Sequence, residues 1–283
     1  MWNAEADTEE RFRNKAIWGS AAVVVAVAAG AFVYFKYFAH PAPPPEVAAP
    51  AKAGPVAAQP GIQHPVPDVS SEAKPLPALN DSDAEVRDSL AGLLGQKAVE
   101  GLLNPENVVR HIVATVDNLP RNKVAVELRP VKPTGGETLV ATQGDVTTLG
   151  AANYDRYAPF MKVVQAADAR TVATVYFRLY PLFQQAYEDL GYPGMYFNDR
   201  LVQVIDNLLE APDLKGPIKV VQPKVFYEYA DPSLESRSSG QKLLMRVGSA
   251  NEAIIKGKLR ELRAEIVQHP NAEHSHEQHT DAG

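Results

Sequence analysis

Apolar residues recur along this chain with three different spacings, and each predicts a different kind of segment. From Ala16 to Phe35 no residue is charged, and a helix of about 20 residues spans the roughly 30 Å of a bilayer's hydrocarbon core. Trp18 stands near one end, Tyr34 and Tyr37 near the other, where amphipathic rings favour the interface. The run is long for a signal peptide, and Lys36-Tyr37-Phe38-Ala39-His40-Pro41 makes a poor cleavage site. An uncleaved transmembrane helix over 16–38 is expected.

Further along, the helical period takes over. Val86, Leu90, Leu93 and Leu94 share one face; Ser82-Asp83-Ala84-Glu85 reads as a capping box before them and Gly95 as the stop. Asn104-Pro105 reads as N-cap and first residue of a helix carrying Val108, Val109, Ile112, Val113 and Val116, with His111 beside that face as a partly buried structural histidine. The longest helix begins near Asp168, runs through Val172, Tyr176, Leu179, Phe183 and Leu190, and ends at Gly191 and Pro193, with a kink expected at Pro181. Another follows Phe197-Asn198. A last one opens at Ser249-Ala250-Asn251-Glu252, read as a second capping box, with Ile255, Leu259, Leu262 and Ile266 inward. Between 121 and 150 the period falls to two: Val124, Val126 and Leu128 alternate, as do parts of Glu137–Val146, around Pro133 and Gly135-Gly136. That predicts a small β-hairpin or two short strands, and Val225–Tyr229 reads as a short extended piece. The expected class is mainly α: a single helical domain over 79–267 with a minor β-hairpin, preceded by one transmembrane helix and a disordered linker.

Composition changes this picture at the ends. Of 23 prolines, 11 fall within 41–78, so 39–78 is expected to stay extended and solvated, reaching about 120 Å from the membrane. Residues 268–283 form a polar His-rich tail. Its His274, His276 and His279 lack the rigid geometry of a metal site, and no metal or cofactor is assigned. The absence of cysteine excludes disulfides, thiolate nucleophiles and Cys-ligated zinc. The domain carries 22 basic against 24 acidic residues, which gives no global attraction to nucleic acid. Arg11, Arg13 and Lys15 precede the span while Lys36 stands alone after it, which keeps 1–15 in the cytoplasm and exports the domain to the periplasm from a single-pass inner-membrane anchor.

The familiar nucleotide, zinc and serine-hydrolase motifs are missing. Ser239-Gly240-Gln241-Lys242 matches S-x-x-K, in which a lysine one turn away activates a serine, but no K-T-G follows; a polar start to a helix burying Leu243, Leu244 and Met245 is preferred. Glu188, Asp189, Asp199 and Asp231 are candidate carboxylates for glycoside hydrolysis, although Asp199 at a helix start and Asp231-Pro232 at a turn are explained without catalysis. Nine of the eleven tyrosines fall between 154 and 229. Tyr154, Arg156 and Tyr157, with Tyr192 and Tyr196, are the candidate binding residues, because tyrosine couples apolar area to a polar tip. Lys256, Arg260 and Arg263 form a basic stripe beside an apolar helix face. Such a stripe suits an anionic partner through salt-sensitive contacts, or simply solvates the helix.

Several blocks occur in a fixed order: Asn153-Tyr154-x-Arg156-Tyr157, Tyr180-Pro181-Leu182, Glu188-x-Leu190-Gly191-Tyr192-Pro193, Phe197-Asn198-Asp199-Arg200-Leu201, Tyr227-Glu228-Tyr229-Ala230-Asp231-Pro232-x-Leu234-Glu235 and Gly240-Gln241-Lys242-x-Leu244-x-Arg246-x-Gly248. Together they resemble the bacterial family catalogued as domain of unknown function 3014, over nearly all of 79–267. The resemblance implies a membrane-anchored envelope protein with a Pro/Ala linker and no particular activity. The function expected is a non-enzymatic binding module whose partner is an envelope protein or an anionic cell-wall or lipid component; the alternative is a periplasmic hydrolase of wall glycan or peptide. Gathering of Glu188, Asp199 and Asp231 in one cleft would favour the hydrolase, and their dispersal the binding module.

Overall fold

A computed structural model of the chain describes residues 61–67, 75–122, 128–132, 134 and 137–267. The predicted span over 16–38, the segment 1–15, the tail 268–283, and Val124 and Val126 lie outside the described residues. Among those described, no helix is long and apolar enough to cross a membrane.

A single 3-10 turn at Leu79–Asp81 leads into α1 (Asp83–Leu94), α2 (Gln96–Leu102) and α3 (Val108–Asn118). The hairpin β1 (Val140–Gln143) and β2 (Val146–Leu149) follows, then α4 (Ala151–Asp155), α5 (Ala158–Ala166), α6 (Ala169–Asp189) and α7 (Phe197–Leu209). Next come β3 (Lys219–Val221), β4 (Glu228–Tyr229), α8 (Pro232–Glu235), α9 (Ser239–Arg246) and α10 (Ser249–Val267). α6 is the central post. Its stripe of Val172, Tyr176, Leu179, Leu182 and Phe183 is buried, and α1, α3, α7 and α10 pack around it. Pro181 lies within α6 on its solvent side, where the N–H that proline lacks leaves no donor buried in the core.

The mainly helical class stands, but the β element is a sheet rather than a hairpin. Its four antiparallel strands run in the order β1-β2-β3-β4. The turn falls at Gly144-Asp145, between the paired Gln143 and Val146; Pro133 and Gly135-Gly136 lie outside the described residues. β3, with Val220 buried and its neighbours exposed, is too short to show a period. It joins β2 through Thr147↔Val220 and Thr148↔Lys219 after four helices have intervened. Beneath the sheet, Leu149, Ile218, Val220, Tyr229 and Met245 form a second small core.

Neither predicted capping box forms. The Ser82 hydroxyl donates to the Leu79 carbonyl at 2.7 Å. Asp83 instead accepts the amides of Asn107 and Val108, each at 2.8 Å, so the first residue of α1 caps α3 and ties the two helices together. Asn104, the expected cap, donates its amide to the Arg129 carbonyl at 2.8 Å, and α3 starts at Val108. At the other end, Gly248 (φ +91°) precedes α10, and a Cβ there would meet the Tyr154 ring at 2.8 Å. Both the left-handed backbone and the close approach require glycine. The stop of α6 is as expected. Gly191 (φ +112°) is left-handed, its amide donates to the Glu188 carbonyl and the Tyr192 amide to the Tyr187 carbonyl at 3.4 Å. The accompanying contact is aromatic: the Tyr187 and Tyr192 rings stack with centroids 4.6 Å apart.

Part of the segment assigned to the linker belongs to the domain. Residues 61–67 lie against α7, and Val66 and Leu76 pack on the main core.

Candidate functional site

The quoted blocks converge on three polar clusters, and the predicted residues divide among them. At the sheet end, Tyr157 is buried and its hydroxyl has no hydrogen-bond partner among the described residues. Burial pushes that phenol up to about 12, against the opposing pull of Arg246 and Arg156. Arg246 is fully buried, with its guanidinium 5.2 Å from the centre of the Tyr229 ring. The Tyr229 hydroxyl donates to the Lys242 carbonyl at 2.5 Å, and burial raises its pKa. Arg156 donates to Asn153 at 3.0 Å, and the same Asn153 oxygen accepts the Leu139 amide. Tyr154 is half-buried over Gly248. This cluster joins α4, α9 and the sheet; of the predicted binding residues here, Tyr157 is core.

At the α6–α7 corner the organiser is Asp117, which the sequence reading did not single out. Its side chain is 3% exposed. Arg200 reaches it at 2.9 Å, Arg121 at 2.6 Å and the Tyr192 hydroxyl at 3.1 Å, while Arg121 also donates to Tyr192 at 2.7 Å. A charged residue within the apolar stripe of Val113 and Val116 was the available signal, since a buried carboxylate must be paired. Tyr196 is half-exposed at the start of α7, beside the exposed Met195.

The basic stripe is largely not a surface. Lys256, predicted to be exposed, is 3% exposed and reaches Glu252 at 3.0 Å, Asp213 at 2.6 Å and the Ala211 carbonyl at 2.5 Å. The first-turn position of Glu252 faces inward, so its carboxylate meets lysine instead of capping the helix; burial raises its pKa while Lys256 opposes the shift. Arg263 is half-buried and pairs with Asp206 through two hydrogen bonds at 2.6 and 3.0 Å. Arg260 is exposed.

The candidate catalytic groups are dispersed. Glu188 accepts from Gln184 at 2.8 Å, Asp189 pairs with Arg110 at 2.8 Å, and Asp231 caps α8 through the Ser233 amide at 2.8 Å. The Lys242 ammonium is held by Glu235 at 2.8 Å and by the Glu235 carbonyl at 3.0 Å, and Ser239 is wholly buried. His111 is half-buried, and desolvation lowers its pKa against the fields of Asp83 and Glu106. Among the described residues no group of three His, Asp or Glu side chains is placed to hold a metal. A cavity of about 400 Å³ lies between α1 and α2, lined in part by Arg87, Asp88, Glu100 and Lys132; it contains none of the predicted site residues.

Asp199 has another task. Its two oxygens accept the consecutive amides of Gln63 (3.1 Å) and His64 (2.7 Å). Next to it Asn198, fully buried, donates to the His64 carbonyl at 2.8 Å and accepts the Tyr176 hydroxyl at 2.9 Å.

A family model described as "Protein of unknown function (DUF3014)" matches residues 108–263. That span holds the sheet, all three clusters and the Asn198–Asp199 pair. No curated protein and no solved structure matches the chain.

Proposed function

The chain belongs to the DUF3014 family, and we propose that it works as a non-enzymatic binding module of the bacterial envelope. In this reading residues 16–38 anchor it in the inner membrane, 1–15 stay in the cytoplasm, and the domain stands in the periplasm beyond the linker. The observation that carries the reading is the dispersal of the candidate catalytic groups. Hydrolysis needs an acid and a base, or a nucleophile and its base, within reach of one reacting bond. Here Glu188, Asp199, Asp231 and Lys242 are each committed to a different contact, and Ser239 is sealed from solvent. Half-exposed Tyr154, Tyr192 and Tyr196 offer the amphipathic area that recognition surfaces use, and Arg260 is the exposed cation of the stripe. The partner is an envelope protein or an anionic wall or lipid component.

A photo-reactive residue at Tyr196 of the full-length protein is expected to give a discrete light-dependent adduct in living cells. Purified peptidoglycan incubated with the detergent-solubilised chain is expected to stay insoluble. Release of soluble fragments, lost on Asp199→Asn or Asp231→Asn, would make the domain a hydrolase. The topology has its own test, made clean by the absence of native cysteine. Ala57→Cys should react with a membrane-impermeant thiol reagent on intact spheroplasts, and labelling only after lysis would reverse the orientation.

A further inference from the structure

Residues 61–67 lie on the domain as a peptide without regular secondary structure, bent at Gln63 and His64. His64, Val66 and Pro67 are half-buried while Gly61, Ile62, Gln63 and Pro65 are exposed, so the segment turns its C-terminal half toward the domain. Every polar contact described between this segment and α7 is made by its main chain: two amides to Asp199 and one carbonyl to Asn198. The receptor side is built rather than incidental. The Tyr176 hydroxyl, itself buried, donates to the Asn198 oxygen and thereby turns the amide nitrogen toward the peptide. The segment is prepared for the fit as well. Pro65 and Pro67 carry no amide that needs a partner, and Pro65 confines His64 to extended backbone, so little conformational freedom is lost on docking. The receptor residues fall inside the family-matched region 108–263 and the peptide outside it.

We infer that Tyr176, Asn198 and Asp199 form a binding site for a peptide that turns at two free amides followed by proline, and that its resident ligand is the chain's own Gln63–Pro67. The inference rests on the binding-module reading and names a ligand class for it. Because recognition is through main-chain hydrogen bonds and the packing of Val66, a peptide of the same pattern presented in trans competes with the resident segment. Displacement frees the chain as far as the core contact of Leu76 and lengthens the tether by about a dozen residues, or about 40 Å for an extended Pro-rich chain. The site thus couples peptide binding to the distance at which the domain works from its membrane.

The probe is a fluorescent peptide of sequence Gly61–Pro67, tested on the full-length protein in detergent micelles. A segment linked in cis acts at an effective concentration of about millimolar, so the peptide is expected to bind with Kd below about 1 mM once the resident segment is disabled. The disabling variant is Gln63→Pro with His64→Pro, which deletes both donated amides and replaces no buried residue of the core, although it releases the peripheral contact of Val66. Binding should be at least about tenfold weaker to the unmodified chain, where the resident segment competes, and absent when Asp199→Ala is added to the disabled chain. In the unmodified chain the Gln63 and His64 amides should exchange with deuterium at least about tenfold more slowly than in the Asp199→Ala chain. Far-UV circular dichroism confirms that each variant is folded. Absence of saturable binding to the folded disabled chain, binding indifferent to Asp199, or unprotected amides at 63 and 64 would each overturn the site. Failure here alongside a specific Tyr196 adduct would sink the peptide site alone. Release of peptidoglycan fragments would sink the module reading while leaving the peptide affinity intact.

Discussion

At the sheet end of the domain Tyr157 lies in the core beside the fully buried Arg246. At the α6–α7 corner Tyr192 is half-exposed, stacked on Tyr187 and hydrogen-bonded to a buried carboxylate shared by two arginines. In the sequence these are two similar blocks of tyrosine and arginine. In the fold the charge inside is reversed. One region buries the cation and surrounds it with aromatic rings; the other buries the anion and lets partly exposed cations come to it. A buried guanidinium keeps its charge and tolerates an aromatic face, whereas a buried carboxylate stays ionised only where donors converge. The first arrangement glues α9 to the sheet, the second clamps α3 to α7.

Breaking each centre separately tests that contrast. Arg246→Ala is expected to be the largest loss, about 4 kcal/mol in urea unfolding, because it leaves a large cavity and removes the guanidinium packed on the Tyr229 ring. Asp117→Ala should cost about 3 kcal/mol by stranding Arg200, Arg121 and the Tyr192 hydroxyl. A double-mutant cycle with Arg200→Gln should recover a coupling of at least about 1 kcal/mol.

The protonation of Tyr157 sharpens the comparison. Its folded-state value of about 12 lies above the ordinary 10.0, so the stabilisation is fully present below pH 10. It is lost as pH rises toward 12, by on the order of 2 kcal/mol. Denaturation curves across that window should show the loss. Tyr176, Tyr180 and Tyr229, also raised by burial, add to it, so Tyr157→Phe should reduce the loss by its own share and leave the rest. Smaller again is Gly248→Ala, expected to lower stability by about 1–2 kcal/mol through its left-handed backbone and the Tyr154 ring. Gly92→Ala, in α1 with open space around it, should raise stability by about 0.5–1 kcal/mol. The smallest effect is Arg260→Gln, within about 0.5 kcal/mol. It probes the basic stripe cleanly, and weakened low-salt capture of an anionic partner would show that Arg260 makes the contact. Replacing Lys256 as well would unfold a buried ion pair and confuse that measurement.

Much of the helical framework was legible because periodicity is a local property. The stripe from Val172 to Phe183 has only one way to be buried, and the Gly191 stop needs only its own turn. The caps were misread for the opposite reason. Ser82 and Glu85 form a valid local motif, yet Asp83 finds better use on the amides of Asn107 and Val108, 24 and 25 residues away. Glu252 and Lys256 likewise read as surface charges until α7 and the Ala211–Asp213 turn close over them.

Local chemistry was therefore enough to place α1, α3, α6, α7, α9 and α10, their apolar faces and the glycine stops at Gly95 and Gly191, since each depends on neighbours within a turn or two. The helices α2, α4, α5 and α8 were not read from it. Only tertiary closure decided the sign of each buried charge, the pairing of β2 with β3, the dispersal of the candidate carboxylates, and the use of Asp199 to hold the main chain of residues 63 and 64. Those choices compare burial against pairing among groups far apart in sequence. Desolvation makes the comparison steep, so a charge that loses water must find its partner wherever the fold supplies one.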